Sequence, residues 1–312
     1  MKSKFKMLTA LIMGLLLITL VACSSDADET ELGELTVGLM PSLDSFPIVL
    51  ASYFGYFEDE GVTVNLEPFT SAGYRDAAMQ AGELDGATFD LVAVGLYIEA
   101  GFPIRVTGNT TGRFTLVANE GFEQVADLAG EEVVISEHTA IDFMLDEMVR
   151  AEGFELDHLT RVILGPIPQR MELLREGQVA AALLPEPWAT MAMMDGLHGI
   201  TDTVELGMNP FVIAFTDDAI EHHAAEIQAF YRAYNRAVDY INSHELADYF
   251  HIIVDVIGFS EAVVDYLALP IFTHNEMPTE AVLVAAINWL LARDLITDTI
   301  TPEDLIHHVA FE

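Results

Sequence analysis

Three hydroxyl side chains, Ser45, Ser71 and Thr139, stand where turn-forming residues give way to apolar positions at helical spacing, the signature of a helix start. The first N–H groups of a helix have no partner within it, so such ends can hold a carboxylate, a sulfonate or a ring nitrogen. Each hydroxyl serves equally well as an ordinary N-cap. Three carboxylates, Asp44, Asp90 and Glu186, fall close to predicted helix starts as well. Facing a closed cleft, they favour a ligand that brings N–H donors or positive charge, and they repel bare sulfonate or nitrate. Asp90 alternatively does no more than cap the helix that follows it. Phe46 and Trp188 offer faces on which a heteroaromatic ring can stack, or they belong to the core, as Phe69 more naturally does. His138, beside a helix start, offers a polar contact or is a plain surface histidine. None of the ten arginines falls in an obvious loop after a strand, which weakens a simple oxyanion reading further.

Other chemistry finds little support. The pairs His222-His223 and His307-His308 suggest a metal, but adjacent helical residues point about 100° apart and share no face, so no metal is expected. The chain has no GxSxG elbow, no P-loop and no GxGxxG after a strand. Binding, by contrast, needs only convergent donors and acceptors with an apolar wall.

The single cysteine, Cys23, closes the run Leu20-Val21-Ala22-Cys23. Lys2, Lys4 and Lys6 form a basic start, and residues 7–20 form an apolar stretch short for a spanning helix, the pattern of a secretory leader. Residues 1–22 are expected to be removed and Cys23 to be acylated, as in the bacterial lipoproteins this leader resembles. Each buried methylene contributes roughly 0.8 kcal/mol, and two chains hold where one would exchange. Residues 24–33, SSDADETELG, bury nothing and read as a flexible tether.

With 50 acidic against 13 basic residues, the surface field repels nucleic acid, and no such partner is expected. Beyond the leader the chain has no lysine; its cations are arginines, which hold their charge where lysine begins to lose it. This suits an alkaline or salty exterior. With one cysteine there is no disulfide, so apolar burial must hold the core.

The elements that position these residues alternate. Strands are predicted over 34–40, 61–66, 85–90 and 104–107, with helices ending near 53 and 82 and another over 91–100. A second run of the same kind follows: strands over 114–117, 132–136, 161–164 and 179–184, helices over 139–152, 172–176 and 188–194. Residues 211–215 carry the chain back, and helices over 220–242, 246–257, 262–267 and 280–291 complete it. Strand, loop, helix order implies parallel sheets covered on both faces, with ligands at strand C-terminal ends.

In this order the segments MPSLDSFPIVLASYFGYFEDEGVTVNLEPFTS, RDAAMQAGELDGATFDLVAVG and GQVAAALLPEPW resemble the SsuA/THI5-like substrate-binding lipoproteins of ABC importers. The resemblance covers nearly all of residues 34–312. It implies an α/β fold of the bilobed periplasmic-binding-protein type II-like kind, with two parallel or mixed-sheet lobes joined by a two-crossing hinge. Lobe 1 is then 34–115 with 214–312, lobe 2 is 116–213, and the hinge is expected to flex near 114–119 and 210–216. Matching the family's cleft-lining motifs gives Asp44, Ser45 and Phe46, then Thr70 and Ser71, then Thr88 and Asp90, and from the facing lobe His138, Thr139, Glu186 and Trp188. The resemblance implies a monomeric receptor, anchored to the membrane through Cys23, that passes a small-molecule solute to an ABC permease and ATPase. Of the family's ligands, the carboxylates favour a nitrogenous heterocycle such as a thiamine pyrimidine precursor, with a sulfonate, taurine or nitrate as the alternative. No cofactor and no enzyme activity are expected: fungal relatives hold pyridoxal phosphate on a lysine, and the mature chain has none. A sensory or adhesion module on the same body is the alternative of another class.

Overall fold

Apolar, β-branched runs between turn signals form ten strands in the computed structural model, which describes residues 32–311. The expected leader, Cys23 and the tether as far as residue 31 lie outside the described residues. The first half runs β1 (Glu34–Leu39), α1 (Phe46–Tyr53), α2 (Tyr56–Asp59), β2 (Thr63–Pro68), α3 (Ala72–Gln80), β3 (Gly86–Asp90), α4 (Leu91–Glu99) and β4 (Ile104–Asn109). The second runs β5 (Phe114–Ala118), β6 (Glu132–Ile135), α5 (Ala140–Ala151), β7 (Thr160–Ile163), α6 (Ile167–Arg175), β8 (Ala181–Pro185), α7 (Trp188–Met194) and β9 (His198–Asp202). The chain then returns through β10 (Phe211–Thr216), α8 (Asp217–His222), α9 (Ala224–Ser243), α10 (Leu246–Ile257), α11 (Glu280–Ala292) and α12 (Pro302–Leu305). No helix among the described residues is long and apolar enough to cross a membrane.

The strands form two five-stranded sheets of one topology, ordered β2-β1-β3-β10-β4 and β7-β6-β8-β5-β9. In the first sheet β1 pairs in parallel with β2 and β3, while β10 lies antiparallel between β3 and β4. The second repeats the pattern: β6 pairs in parallel with β7 and β8, and β5 lies antiparallel between β8 and β9. Strand β5, the first after the chain crosses to the second sheet, thus takes there the place that β10, the first after it crosses back, takes in the first sheet. Strands β3, β5 and β8 are buried along their whole length, as strands covered on both faces are, whereas the edge strands β2 and β7 stay partly or fully exposed.

The segments expected to flex, near 114–119 and 210–216, lie largely within β5 and β10, which are central, paired strands. Their apolar runs FTLVA and FVIAF drive them into sheets, and the chain passes between the sheets just before each, over 110–113 and 203–210. Two further departures are local. Residues 198–202, for which the sequence predicts no element, form edge strand β9, and the helix expected from 172 begins at Ile167.

Cores lie on both sides of these crossings. Under α1, α2, α9 and α10 the first sheet buries Leu35, Phe46, Phe57, Phe230, Tyr234 and Phe250; under α6 and α7 the second buries Val134, Met171, Leu174 and Leu184. A third cluster is shared. It runs from Val92 and Val94 of α4 and Leu283 and Trp289 of α11 through Phe143 and Met148 of α5 to Leu116 and Val133 of the second sheet.

Candidate ligand-binding site

The C-terminal ends of β1 and β3 face those of β6 and β8, and the loops and helices that leave them enclose a cavity of about 50 Å³. Its first wall carries Ser42, Asp44, Arg75, Thr88, Phe89 and Asp90; its second carries Ser136, Thr139, Ile141, Gly165, Ile167 and Arg170. Phe114 and Phe211, the first residues after the two crossings, close the floor with ring centroids 4.5 Å apart. A cavity of this size admits roughly four water-sized groups, so it suits a small solute.

Two buried arginines line this cavity, although neither falls in a loop after a strand. Each lies four residues past the N-cap of the helix that follows its sheet's edge strand: Arg75 after Ser71 on α3, and Arg170 after Pro166 on α6. Arg75 is internally satisfied. Its Nε and Nη2 donate to Asp76 Oδ1 at 3.0 and 2.7 Å, its Nη1 donates to the Thr88 carbonyl at 2.9 Å, and the guanidinium lies 3.8 Å over the Phe89 ring. Arg170, only 1 % exposed, is different. Nη1 donates to the carbonyls of Gly165 and Leu164 at 2.6 and 3.2 Å, Nε is buried without a partner, and no carboxylate pairs with it among the described residues. Burial alone pushes this guanidinium down to about 9.

Opposite stand two carboxylates. Burial pushes Asp44 up to about 6, against hydrogen bonds from Ser42, its own backbone and Thr88 and the charge of Arg75. Asp90 is raised for the same reason and opposed first by Arg75; it accepts the Ala93 N–H at 2.9 Å to cap α4, and the Ala140 N–H at the head of α5 also stabilises it.

Of the residues expected to line the cleft, Asp44, Thr88, Asp90 and Thr139 line this cavity. Thr139 caps α5, accepting from Ile141 N–H at 3.2 Å, and Thr88 Oγ1 accepts from Met40 N–H at 3.0 Å. The others stand behind or beside it. Ser45 donates to the Met40 carbonyl at 2.7 Å, Ser71 caps α3, and the Thr70 carbonyl accepts from Ile167 N–H at 3.2 Å. Phe46 lies in the core against Phe250, and the His138 side chain is exposed near Glu137. Trp188 donates its indole N–H to the Pro41 carbonyl at 2.9 Å. Glu186 points away from the cavity: one oxygen accepts from Arg113 Nη2 at 3.1 Å and the other from Thr190 N–H at 2.9 Å. Arg75 and Arg170 were legible only by aligning the two halves, since each occupies the same place after its edge strand.

Comparison with known proteins agrees with this architecture. A putative ABC transporter periplasmic binding protein of Brachyspira hyodysenteriae is 23% identical over 264 residues, 77% of this chain and 75% of that one. A putative binding protein of Brucella abortus is 28% identical over 120 residues, 38% of this chain, so the chain spans 37% of that relative's length. Among solved structures, the alkanesulfonate-binding protein SsuA of Xanthomonas axonopodis bound to MOPS superposes with a TM-score of 0.76 at 17% identity, covering 88% of this chain and 98% of that one. The periplasmic nitrate-binding protein NrtA from Synechocystis gives 0.73 at 12% identity, over 88% and 84% of the two chains. These likenesses establish the bilobed fold of periplasmic binding proteins, as expected from the sequence. Residues 28–254 match the NMT1-like family, and the chain belongs to it.

Proposed function

We propose that this chain is the extracytoplasmic solute-binding component of an ABC importer and that it closes around a small solute carrying both an anionic head group and a cationic or N–H-rich group. The observation that carries the reading is Arg170, a buried guanidinium with carbonyl partners only, set across one small cavity from Asp44 and Asp90. A buried cation without an acidic partner is completed when an anion arrives. Nitrate or a plain alkanesulfonate would satisfy Arg170 but place its charge before two carboxylates. An uncharged aminopyrimidine would satisfy the carboxylates and leave Arg170 unmatched. An aminosulfonate or amino acid satisfies both walls and suits the cavity's size, so the preference moves from a neutral heterocycle to a zwitterion.

The family and its named relatives support transport rather than catalysis, with a permease and an ATPase as partners; acylated Cys23 as the membrane tether rests on the leader pattern of the sequence. Only contacts made by both halves at once favour the closed form, and Arg170 and Asp44 come from different halves. Thermal shift and calorimetry with taurine, ethanesulfonate, nitrate and an uncharged aminopyrimidine test the reading. Taurine should stabilise the protein most; binding of the aminopyrimidine alone would reject it.

A further inference from the structure

Two kinds of contact join the halves, and they differ in what separation would expose. The loop after β1 meets the loop after β8 through hydrogen bonds that water can replace: Trp188 Nε1 to the Pro41 carbonyl at 2.9 Å and Leu43 N–H to the Glu186 carbonyl at 3.1 Å. The partly buried Trp188 ring adds an edge contact with Phe259, centroids 5.8 Å apart. Where α11 meets α5 the carboxylates and the indole are buried, and only the edges of the guanidinium groups reach water. Asp142 and Asp146 of α5, 1 % and 0 % exposed, lie between Arg161 beside them in β7 and Arg293, one residue past the end of α11. Arg293 Nη2 is 2.6 Å from Asp146 Oδ2 and 3.4 Å from Asp142 Oδ1, and Trp289 Nε1 donates to Asp146 Oδ2 at 2.7 Å. Arg293 also stacks on Trp289 at 4.5 Å, Trp289 packs against Phe143 at 5.7 Å, and the apolar cluster shared by α4, α5 and α11 surrounds them.

We propose that the α5–α11 contact is a fixed pivot: the halves part by swinging Trp188 away from Pro41 while Trp289 and Arg293 keep hold of Asp146. Parting α11 from α5 would take Trp289 and Arg293 from Asp142 and Asp146 and expose the shared apolar cluster, which costs far more than trading backbone hydrogen bonds for water. Motion therefore concentrates at the crossings 110–113 and 203–210 and at the Trp188 side. This inference goes beyond the choice of ligand and is tested without one.

The two tryptophans make the test direct, because each donates its indole N–H across one of the contacts. Hydrogen exchange of the two indole N–H groups, assigned with Trp188→Phe and Trp289→Phe, is followed in the full chain across a series of urea concentrations below the unfolding midpoint. Trp289 should exchange only through global unfolding, with the full urea dependence of the equilibrium transition; Trp188 should exchange through a smaller opening with a much weaker dependence. Arg293→Met should move Trp289 into the weakly dependent class and speed its exchange at least about tenfold. If Trp289 in the unsubstituted protein exchanges with the same weak dependence as Trp188, the contact opens with the cleft and the pivot is excluded. That comparison decides the matter even if the Arg293 variant fails to fold.

Discussion

Arg75 and Arg170 occupy equivalent positions on equivalent helices, yet only Arg75 has its own counter-charge, and that difference separates a structural cation from a binding one. Arg170→Gln is expected to weaken an anionic ligand by a factor of about 30 or more, in line with losing one member of a buried charge pair, while stability changes by less than about 2 kcal/mol. Arg75→Gln should lower stability by about 1–3 kcal/mol, since Asp76, the Thr88 carbonyl and the Phe89 face all lose their partner. Calorimetry and urea unfolding on both variants check the contrast; equal effects in the two would contradict it. Asp44 adds a pH signature. Its carboxyl sits near 6 in the folded chain against 3.8 without the fold, so between those values the folded protein holds a proton that the unfolded chain has released. Stability is then highest below about pH 4 as far as this group is concerned, and roughly 3 kcal/mol of it disappears as pH rises through 6. Urea unfolding from pH 4 to 7.5 should show that fall in the parent and not in Asp44→Asn; an identical profile in both would refute the assignment. The carboxylates were legible because they stand at strand ends beside turn residues. The arginines were not, because each lies a full turn inside its helix, where position alone says nothing of the direction in which a long side chain extends.

At the scale of elements, helix starts decide which groups reach the cavity. Helix α6 begins at Ile167 with Pro168 in its first turn, where a missing N–H costs nothing, and this earlier start turns Arg170 inward. The caps Ser71, Asp90 and Thr139 were legible from their residue types, and each accepts from its own helix's first turn. Glu186 follows β8 as Asp90 ends β3, and both bond the first turn of the next helix, but the second Glu186 oxygen is taken by Arg113 near the first crossing. Glu186→Ala is therefore expected to act on stability, by about 3 kcal/mol, because it strands a largely buried guanidinium and uncaps α7. Urea unfolding measures that loss directly. A variant as stable as the parent would show that the pair with Arg113 contributes nothing. Strand β9 escaped the sequence because HGITD has neither alternation nor an apolar run; its pairing with β5 makes it a strand.

Over the whole molecule, the two α/β halves were legible from repeated strand, loop and helix order, whereas the insertion of β10 between β3 and β4, and of β5 between β8 and β9, is a non-local pairing that no short window of sequence contains. The same scale governs charge. A formal net charge of −37 makes the folded chain repel itself, and among the described residues every arginine but Arg170 is spent in a specific pair, among them the buried cluster of Arg161 and Arg293 with Asp142 and Asp146. Salt acts unequally on these terms. Between 0.01 and 1 M the screening length falls from about 30 to about 3 Å, which removes repulsion between exposed carboxylates and hardly touches pairs held out of water. Raising sodium chloride over that range should therefore increase the unfolding temperature by about 5 °C or more, equivalent to one or two kcal/mol in a domain of this size. Sodium chloride also separates this origin from binding of a particular ion, since potassium chloride should have the same effect at equal ionic strength. A thermal transition that falls as either salt rises would mean that exposed attractive pairs outweigh the net repulsion, and the acidic surface would then have to be explained by something other than a saline or alkaline exterior.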